Sequence, residues 1–326
     1  MMVVTGAPGH LGNNLVRLLL EKGEKVRAMV LAGEDLTSLK GLDVEVVEGD
    51  VREPKSLDKA FRGADIVFHL ASVISLLPGR SELLEQVNVN GARNVAEACL
   101  RSGVRRLVYT SSIHALVEPP HGTGIDESAG CDPLRVSMEY SKTKAKGTLE
   151  VLDVIGKGLD GVIAYPSGVI GPNDFKPSEV GHMILDFIRG RLPATIDGGY
   201  NFVDVRDVAY GHMLAAEKGR MGEGYILAGE WISVTEVLQE VGAVVGRTVP
   251  KWKVSPTTAS VVAKALTSLS RMTGKKPLVS TDMIEALLSN SLVSSTKALT
   301  ELGFVPRPIR QSIRDTVVWF QEQGVV

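Results

Sequence analysis

Thr5-Gly6-Ala7-Pro8-Gly9-His10-Leu11-Gly12 joins a short apolar run, Met2–Thr5, to a stretch with helical spacing, Leu11 to Leu20. Glycine stands at every third place in it. At 6 it permits a sharp turn, at 9 a close approach of backbone to a ligand, and at 12 tight packing of helix on strand. A helix beginning here presents free N–H groups and a partial positive charge to an anion. A tight turn without a ligand is the alternative. The strand before and the amphipathic helix after favour a phosphate cradle, because that is the context such a loop needs.

Outward from the loop, short apolar runs alternate with longer amphipathic ones to about residue 165. Val26–Leu31, Val44–Val47, Ile66–Leu70, Leu107–Ser111 and Gly161–Tyr165 read as further buried strands. Helical spacing lies between them at Lys55 to Phe61, Leu83 to Leu100 and Met138 to Ile155. Strand followed by helix, repeated, implies an α/β fold with a doubly wound parallel sheet of Rossmann type. Ligands then bind beyond the carboxyl ends of the strands. After residue 166 the rhythm changes: prolines and glycines cluster at Pro166, Gly168, Gly171, Pro172 and Pro177, then helices dominate with short strand-like pieces at Asn201–Val205 and Tyr225–Ala228. The expected division is a dinucleotide-binding domain over 1–170 and a smaller, mostly helical substrate lobe over 171–326, partly interleaved with the sheet.

The chain has 326 residues, enough for a well-buried core. Its net charge of -2 gives no field that would favour nucleic acid or an anionic membrane. The two cysteines, Cys99 and Cys131, have no metal-ligand spacing and make a poor scaffold at this size. No metal site is expected. The chain enters its first strand at once, without a signal peptide, and its apolar runs fall short of the roughly 20 residues a membrane span needs. These features together predict a cytoplasmic protein.

Tyr140-Ser141-Lys142-Thr143-Lys144 places a phenol and an ammonium four residues apart, on one helix face about a turn apart. A nearby positive charge favours phenolate and moves the phenol toward the range where acid–base catalysis works. Lys142, two residues from Tyr140, faces elsewhere. The spacing alone also fits a solvated helix face; following a nucleotide loop and a serine-bearing strand end, Leu107-Val108-Tyr109-Thr110-Ser111-Ser112, it reads as catalytic.

Taken together these stretches resemble the extended branch of the short-chain dehydrogenase/reductase superfamily, the epimerase/dehydratase and dihydroflavonol-reductase-like proteins. Gly49-Asp50-Val51 is similar to the family turn that holds the adenine, and His69-Leu70-Ala71-Ser72 to the strand end beside the cofactor ribose. Asn88-Val89-Asn90-Gly91 opens a helix as the family does, with Asn88 near the cofactor. Pro166-Ser167-Gly168-Val169-Ile170-Gly171-Pro172 resembles the segment lining the nicotinamide, and Phe202–Val208 a stretch anchoring the second lobe. The resemblance implies cofactor contacts from Gly6, Gly9, His10, Leu11, Gly12, Leu31, Asp50, Val51, Leu70, Ala71, Ser72, Asn88, Thr110, Tyr140, Lys144, Pro166, Ser167 and Val169. It makes Ser112 the serine that orients the reacting oxygen beside Tyr140, with Ser111 as its neighbour on the other face. It implies hydride transfer between nicotinamide and substrate carbon, with Tyr140 giving the proton and Lys144 holding the ribose and tuning the phenol. Plainer readings stand beside several of these: Asp50 as a turn cap, His69 as a packed core residue, Asn88 as a helix cap, and Asp204 and Asp207 as structural carboxylates.

Details within the resemblance narrow the reaction. Ile113-His114 follows Ser112 where related dehydratases carry an Asp-Glu pair, so elimination of water lacks its acid and base. His114 is a loop residue that either touches substrate or is incidental. Tyr200-Asn201 stands where sugar-nucleotide epimerases often carry an arginine. The expectation is therefore an NAD(P)-dependent carbonyl reductase or alcohol dehydrogenase acting on a small apolar or aromatic substrate. Alternatives are a sugar-nucleotide epimerase and a non-catalytic NAD(P) sensor. The second strand ends Met29-Val30-Leu31, with neither the acid that favours NAD nor the arginine that binds an NADP phosphate. The missing acid tilts the expectation toward NADP. A homodimer is the family's common assembly; no nucleic-acid or membrane partner is expected.

Overall fold

The computed structural model describes residues 1–74, 81–120, 122–255, 257–261, 263, 281–290 and 292–326. The strands expected in the first half form within a residue or so of their predicted bounds: β1 (Met2–Thr5), β2 (Val26–Val30), β3 (Glu45–Glu48), β4 (Ile66–His69), β5 (Arg106–Thr110) and β6 (Gly161–Pro166). They lie parallel in the order β3-β2-β1-β4-β5-β6, and the strand Gly224–Leu227 adds a parallel seventh beside β6. The order reverses between β1 and β4, which opens a crevice beyond their carboxyl ends.

Neighbouring side chains along a strand point to opposite faces. Val3, Val67, Leu107 and Ile163 accordingly join one core, and Val4, Phe68, Val108 and Ala164 the other. Both faces are covered. On one, α1 (His10–Glu21) packs against the helix Val205–Lys218; on the other lie α2 (Pro54–Ala60) and the helices Gly91–Arg101 and Glu139–Gly156. Leu15, Val16 and Leu19 of α1 are fully buried, each stabilising the fold by about 1.5–3 kcal/mol. Only β3, at the sheet edge, is mostly exposed, and its flanking Glu45 and Glu48 discourage pairing with another chain.

The single helix expected over Leu83–Leu100 is composite. It starts at Ser81–Leu84, widens into a π segment at Glu85–Asn90, and resumes as Gly91–Arg101. Such widenings commonly sit at functional sites, and Asn88 lies inside this one.

The division at residue 170 is crossed. Residues 205–227 return to the main sheet as a helix and its seventh strand. A seventh parallel strand needs a crossover, and that helix supplies it. The rest of the second half holds a three-stranded sheet (Gly168–Ile170, Gly199–Asp204, Glu230–Ser233) with the helices Glu179–Ile188, Val234–Val245 and Ile309–Glu322. Most of the Thr258–Met272 stretch lies outside the described residues. No helix among the described residues is long and apolar enough to cross a membrane.

Candidate active site

Each glycine of the opening loop has its own physical reason. Gly6 adopts φ +66, and a Cβ there would lie 2.8 Å from Ala71 N, so the loop turns flush against the end of β4. A Cβ at Gly12 would lie 2.1 Å from Gly6 O, which no side-chain movement could relieve. Gly9 is different: it is exposed, caps α1, and a Cβ there would meet only Gly6 O, at 3.2 Å. Its outer side is open toward the crevice, next to the unpaired N–H groups of the helix start.

Thr5, ending β1, fastens this loop to β4. Its Oγ1 accepts from Leu70 N at 3.2 Å and Ala71 N at 3.1 Å, and lies 2.8 Å from His69 Nδ1. His69 is packed, as its plainer reading holds. Burial, then the Lys144 charge, pushes its pKa down to about 3, so the ring stays neutral. Leu70, Ala71 and Ser72 are partly exposed at the strand end, beside the loop.

Asn88 does not cap a helix. Its side chain brackets Val73, accepting from Val73 N and donating to Val73 O, both at 2.9 Å, and also donates to Thr143 Oγ1 at 3.2 Å. It thereby ties the segment after Ser72 to the helix carrying Tyr140. Asp50 does close its turn, accepting from Arg52 N at 2.9 Å and pairing with the Arg52 guanidinium at 2.6 Å. Val51 is buried, and its carbonyl accepts from Asn94 at 2.9 Å. Asp204 caps its helix and pairs with Arg206, and Asp207 pairs with Arg307, so both serve structure.

Two residues expected to contact cofactor have their side chains committed elsewhere. His10 Nε2 lies 3.1 Å from Gly171 O and 3.0 Å from Pro172 O. It clamps the loop after β6 to the start of α1, and Asn13 and Asn14 reinforce the clamp through Asn173 and Pro172. What His10 offers the crevice is main chain. Thr110 likewise gives its Oγ1 to His212 at 2.7 Å and its carbonyl to Lys144. Leu11 is partly buried behind the loop, while Leu31 is 48% exposed at the end of β2.

An acid does reach the end of β2. The chain turns after the strand, with Glu34 N donating to Leu31 O, and the Glu34 carboxylate accepts from Leu31 N at 3.1 Å. Lys176 lies 3.3 Å from the same carboxylate. Counting residues from the strand end misses this, because the turn brings position 34 back beside position 31.

The residues expected to react meet where β5 ends. Ser111 Oγ bonds Thr148 Oγ1 at 2.7 Å, buried beneath the helix Glu139–Gly156, and is thereby spoken for. Ser112 Oγ accepts from His114 N, and the serine lies near enough the Tyr140 phenol to favour its ionised form. Burial raises the Tyr140 pKa to about 12, and the Ser112 hydrogen bond works against that rise. Lys144, 2% exposed, donates to Thr110 O at 2.6 Å and sits 4.8 Å from the centre of the Tyr109 ring. Its own burial brings its pKa down to about 7. In this arrangement the lysine acts on His69 and Tyr109, at the crevice floor, and Tyr140 is tuned by Ser112. Lys142 pairs with Glu139 on the exposed side.

A dinucleotide fits this crevice. Ser167, 7% exposed after the end of β6, has a buried Oγ without a hydrogen-bond partner, between the buried Pro166 and the partly exposed Val169. An orphaned buried hydroxyl there, with the open face of Gly9, is what a bound nicotinamide and pyrophosphate would complete.

Over residues 2–228 the sequence matches the family described as "NAD dependent epimerase/dehydratase family". The chain belongs to that family. It is an NAD(P)-dependent oxidoreductase of the extended short-chain dehydrogenase/reductase type. It is 37% identical over 326 residues to "Sterol demethylase protein B" of Methylococcus capsulatus, covering 99% of each chain. It is also 37% identical to a "Putative dihydroflavonol 4-reductase" of Synechocystis sp., covering 99% of this chain and 95% of that one. Among solved structures, UDP-glucose 4-epimerase of Thermus thermophilus in complex with NAD superposes with TM-score 0.78 at 25% identity, covering 100% and 99% of the two chains.

Several residues of this oxidoreductase's site give no signal in the sequence. Thr5, Asn13, Asn14 and His212 act through partners 64 to 160 positions away. The pairing of Tyr200 Oη with His114 Nε2, at 2.6 Å, joins residues 86 apart. Each member stands out in the sequence; their meeting does not.

Proposed function

We propose that this protein is a carbonyl reductase or alcohol dehydrogenase for an uncharged, apolar ring compound. The observation that carries the reading is the grouping at the end of β5: Ser112 beside the Tyr140 phenol, whose raised pKa it pulls down, and Lys144 buried on the Thr110 carbonyl. Ser112 holds the substrate oxygen, and Tyr140 gives it a proton during reduction or takes one during oxidation. Lys144 holds the cofactor ribose, Ser167 the nicotinamide and the Gly9 loop the pyrophosphate. When bound, the nicotinamide supplies or accepts the hydride.

The ring-compound reading draws support from Tyr200, which stands where an epimerase would use a cation and is turned to His114 instead. Two relatives named for sterol and dihydroflavonol chemistry favour the same class. Glu34 supports NAD over NADP, because a carboxylate at the end of β2 accepts from a ribose hydroxyl and repels a 2′-phosphate. That reverses the tilt drawn from the bare sequence.

The test is to follow absorbance of added NADH or NADPH against a panel of ring ketones, and UDP-sugars in parallel. Steady consumption with a ketone is expected. Sugar interconversion without cofactor consumption would overturn the reading.

A further inference from the structure

Beside the reacting pair a cavity opens between the turn that follows Ser112 and the start of the Tyr140 helix. Ile113, Leu116, Val136 and Met138 give it an apolar wall. The charged members of its lining, Glu118 and Arg135, are both exposed and of opposite sign, so the interior favours neither an anion nor a cation.

Two polar groups on this wall have unused capacity. Ser141, adjacent to Tyr140 in the chain, is 1% exposed, and its Oγ has no hydrogen-bond partner. Folded proteins seldom leave a buried hydroxyl in that state. The second is His114, which is partly exposed. Its Nε2 meets the Tyr200 phenol, and no other hydrogen bond among the described residues involves that phenol. Burial lowers the His114 pKa to about 4, so the ring is neutral, with one nitrogen protonated and the other accepting. The phenol's proton has no other acceptor among the described residues, so the phenol is assigned as donor to Nε2, which puts the ring proton on Nδ1. Nδ1–H has no acceptor among the described residues.

Tyr200 is itself held firmly. A Cβ at Gly168 would lie 2.7 Å from both the Tyr200 and Phe202 rings, so this glycine exists to let the rings lie flush on the segment after β6. Tyr200 and Phe202 also meet edge to face at 5.5 Å. The His114 tautomer is therefore set by a residue packed against the expected nicotinamide wall.

We propose that this cavity is a subsite for a second, uncharged oxygen of the substrate, a hydroxyl or carbonyl remote from the reacting carbon, bound by His114 Nδ1–H and Ser141 Oγ. This rests on the carbonyl reductase reading above. It adds that the ring compound carries at least two oxygens at a fixed spacing. Ser141 supplies donor and acceptor together and His114 a donor, so a hydroxyl or carbonyl oxygen satisfies both, while a charged group would be desolvated against the apolar wall without a counter-charge.

The probes are acetophenone and its three ring-hydroxylated isomers, with initial rates of reduced-cofactor oxidation measured for wild type, Ser141→Ala and Tyr200→Phe. At least one isomer should exceed acetophenone about tenfold in kcat/KM, mainly through KM, the size expected for one well-made buried hydrogen bond. Each variant should bring that ratio to within about threefold of unity. Any general loss of folding or activity acts on all four ketones alike and leaves the ratio unchanged. Equal rates on all four ketones in wild type, or a ratio untouched in both variants, would overturn the subsite while leaving the reductase. Failure to reduce any of the four or the wider ketone panel, with cofactor demonstrably bound, would overturn the reductase reading and the subsite with it.

Discussion

The two walls of the active site are made of different material. The cofactor wall is main chain: a glycine turn, a helix start and the ends of parallel strands, with side chains such as Thr5 and His10 turned inward as clamps. The substrate wall is mostly side chain, built by contacts such as His114–Tyr200 and the Asn290 amide on the Thr123 carbonyl that join distant parts of the chain. Backbone geometry is dictated locally and admits few residue types. Side-chain pairs can be exchanged without disturbing the frame, so this is where one fold changes substrate.

Substitutions should separate the walls. Tyr140→Phe, at the seam, keeps the ring and removes the proton; kcat/KM should fall about 10²- to 10⁴-fold with cofactor affinity nearly intact, measured by steady-state rates and fluorescence titration. A rate near wild type would end the catalytic assignment. Gly12→Ala forces a Cβ to 2.1 Å from Gly6 O, and should weaken cofactor binding by roughly a hundredfold, seen by calorimetry, because the helix start must back away from the loop.

Lys144 offers a graded test of the cofactor wall. Its pKa is depressed from 10.5 to about 7, so above pH 7 the cofactor-free protein holds it mostly neutral. An anionic dinucleotide favours the charged lysine, so affinity should be greatest below pH 7 and fall roughly tenfold as pH rises toward 9. In Lys144→Met that slope should flatten. Glu34→Gln should raise the NADP-to-NAD ratio of kcat/KM about fivefold, aided by Lys176 once its partner is neutral. The smallest effect is expected at Asn290, which is buried and spans Thr123 O and Leu292 N. Asn290→Ala should cost about 1–2 kcal/mol, a few degrees in a thermal melt, with cofactor affinity unchanged.

The same contrast explains what can be read from sequence. Five of the first six strands are legible because both their faces are buried and each run is apolar and short; β3, exposed at the sheet edge, is legible from Val44, Val46 and Val47. The glycine loop and the Tyr140–Lys144 turn are legible because their chemistry fits within eight residues. The resemblance chooses Ser112, and side-chain alternation turns its neighbour Ser111 to the other face. The plainer reading of Asn88, as a cap, fails because its real partners, Val73 and Thr143, lie 15 and 55 positions away. Glu34 stands too far past Leu31 for the sequence to place it at the strand end, because a turn, invisible to counting, folds it back. The division at 170 is crossed because the composition change near Pro166 marks a loop, and the sheet still lacks a strand.

That late seventh strand has a bearing on how the molecule is born. Strand β6 is buried along its whole length, and its outer edge is sealed only when Gly224–Leu227 docks. During synthesis, some sixty residues must emerge after β6 before its open backbone finds its neighbour. Until then the nascent polypeptide exposes a fully apolar ribbon with unpaired amides, the most adhesive kind of intermediate. A fragment ending at 170 should therefore precipitate when expressed, whereas one ending just past 228 should stay in solution.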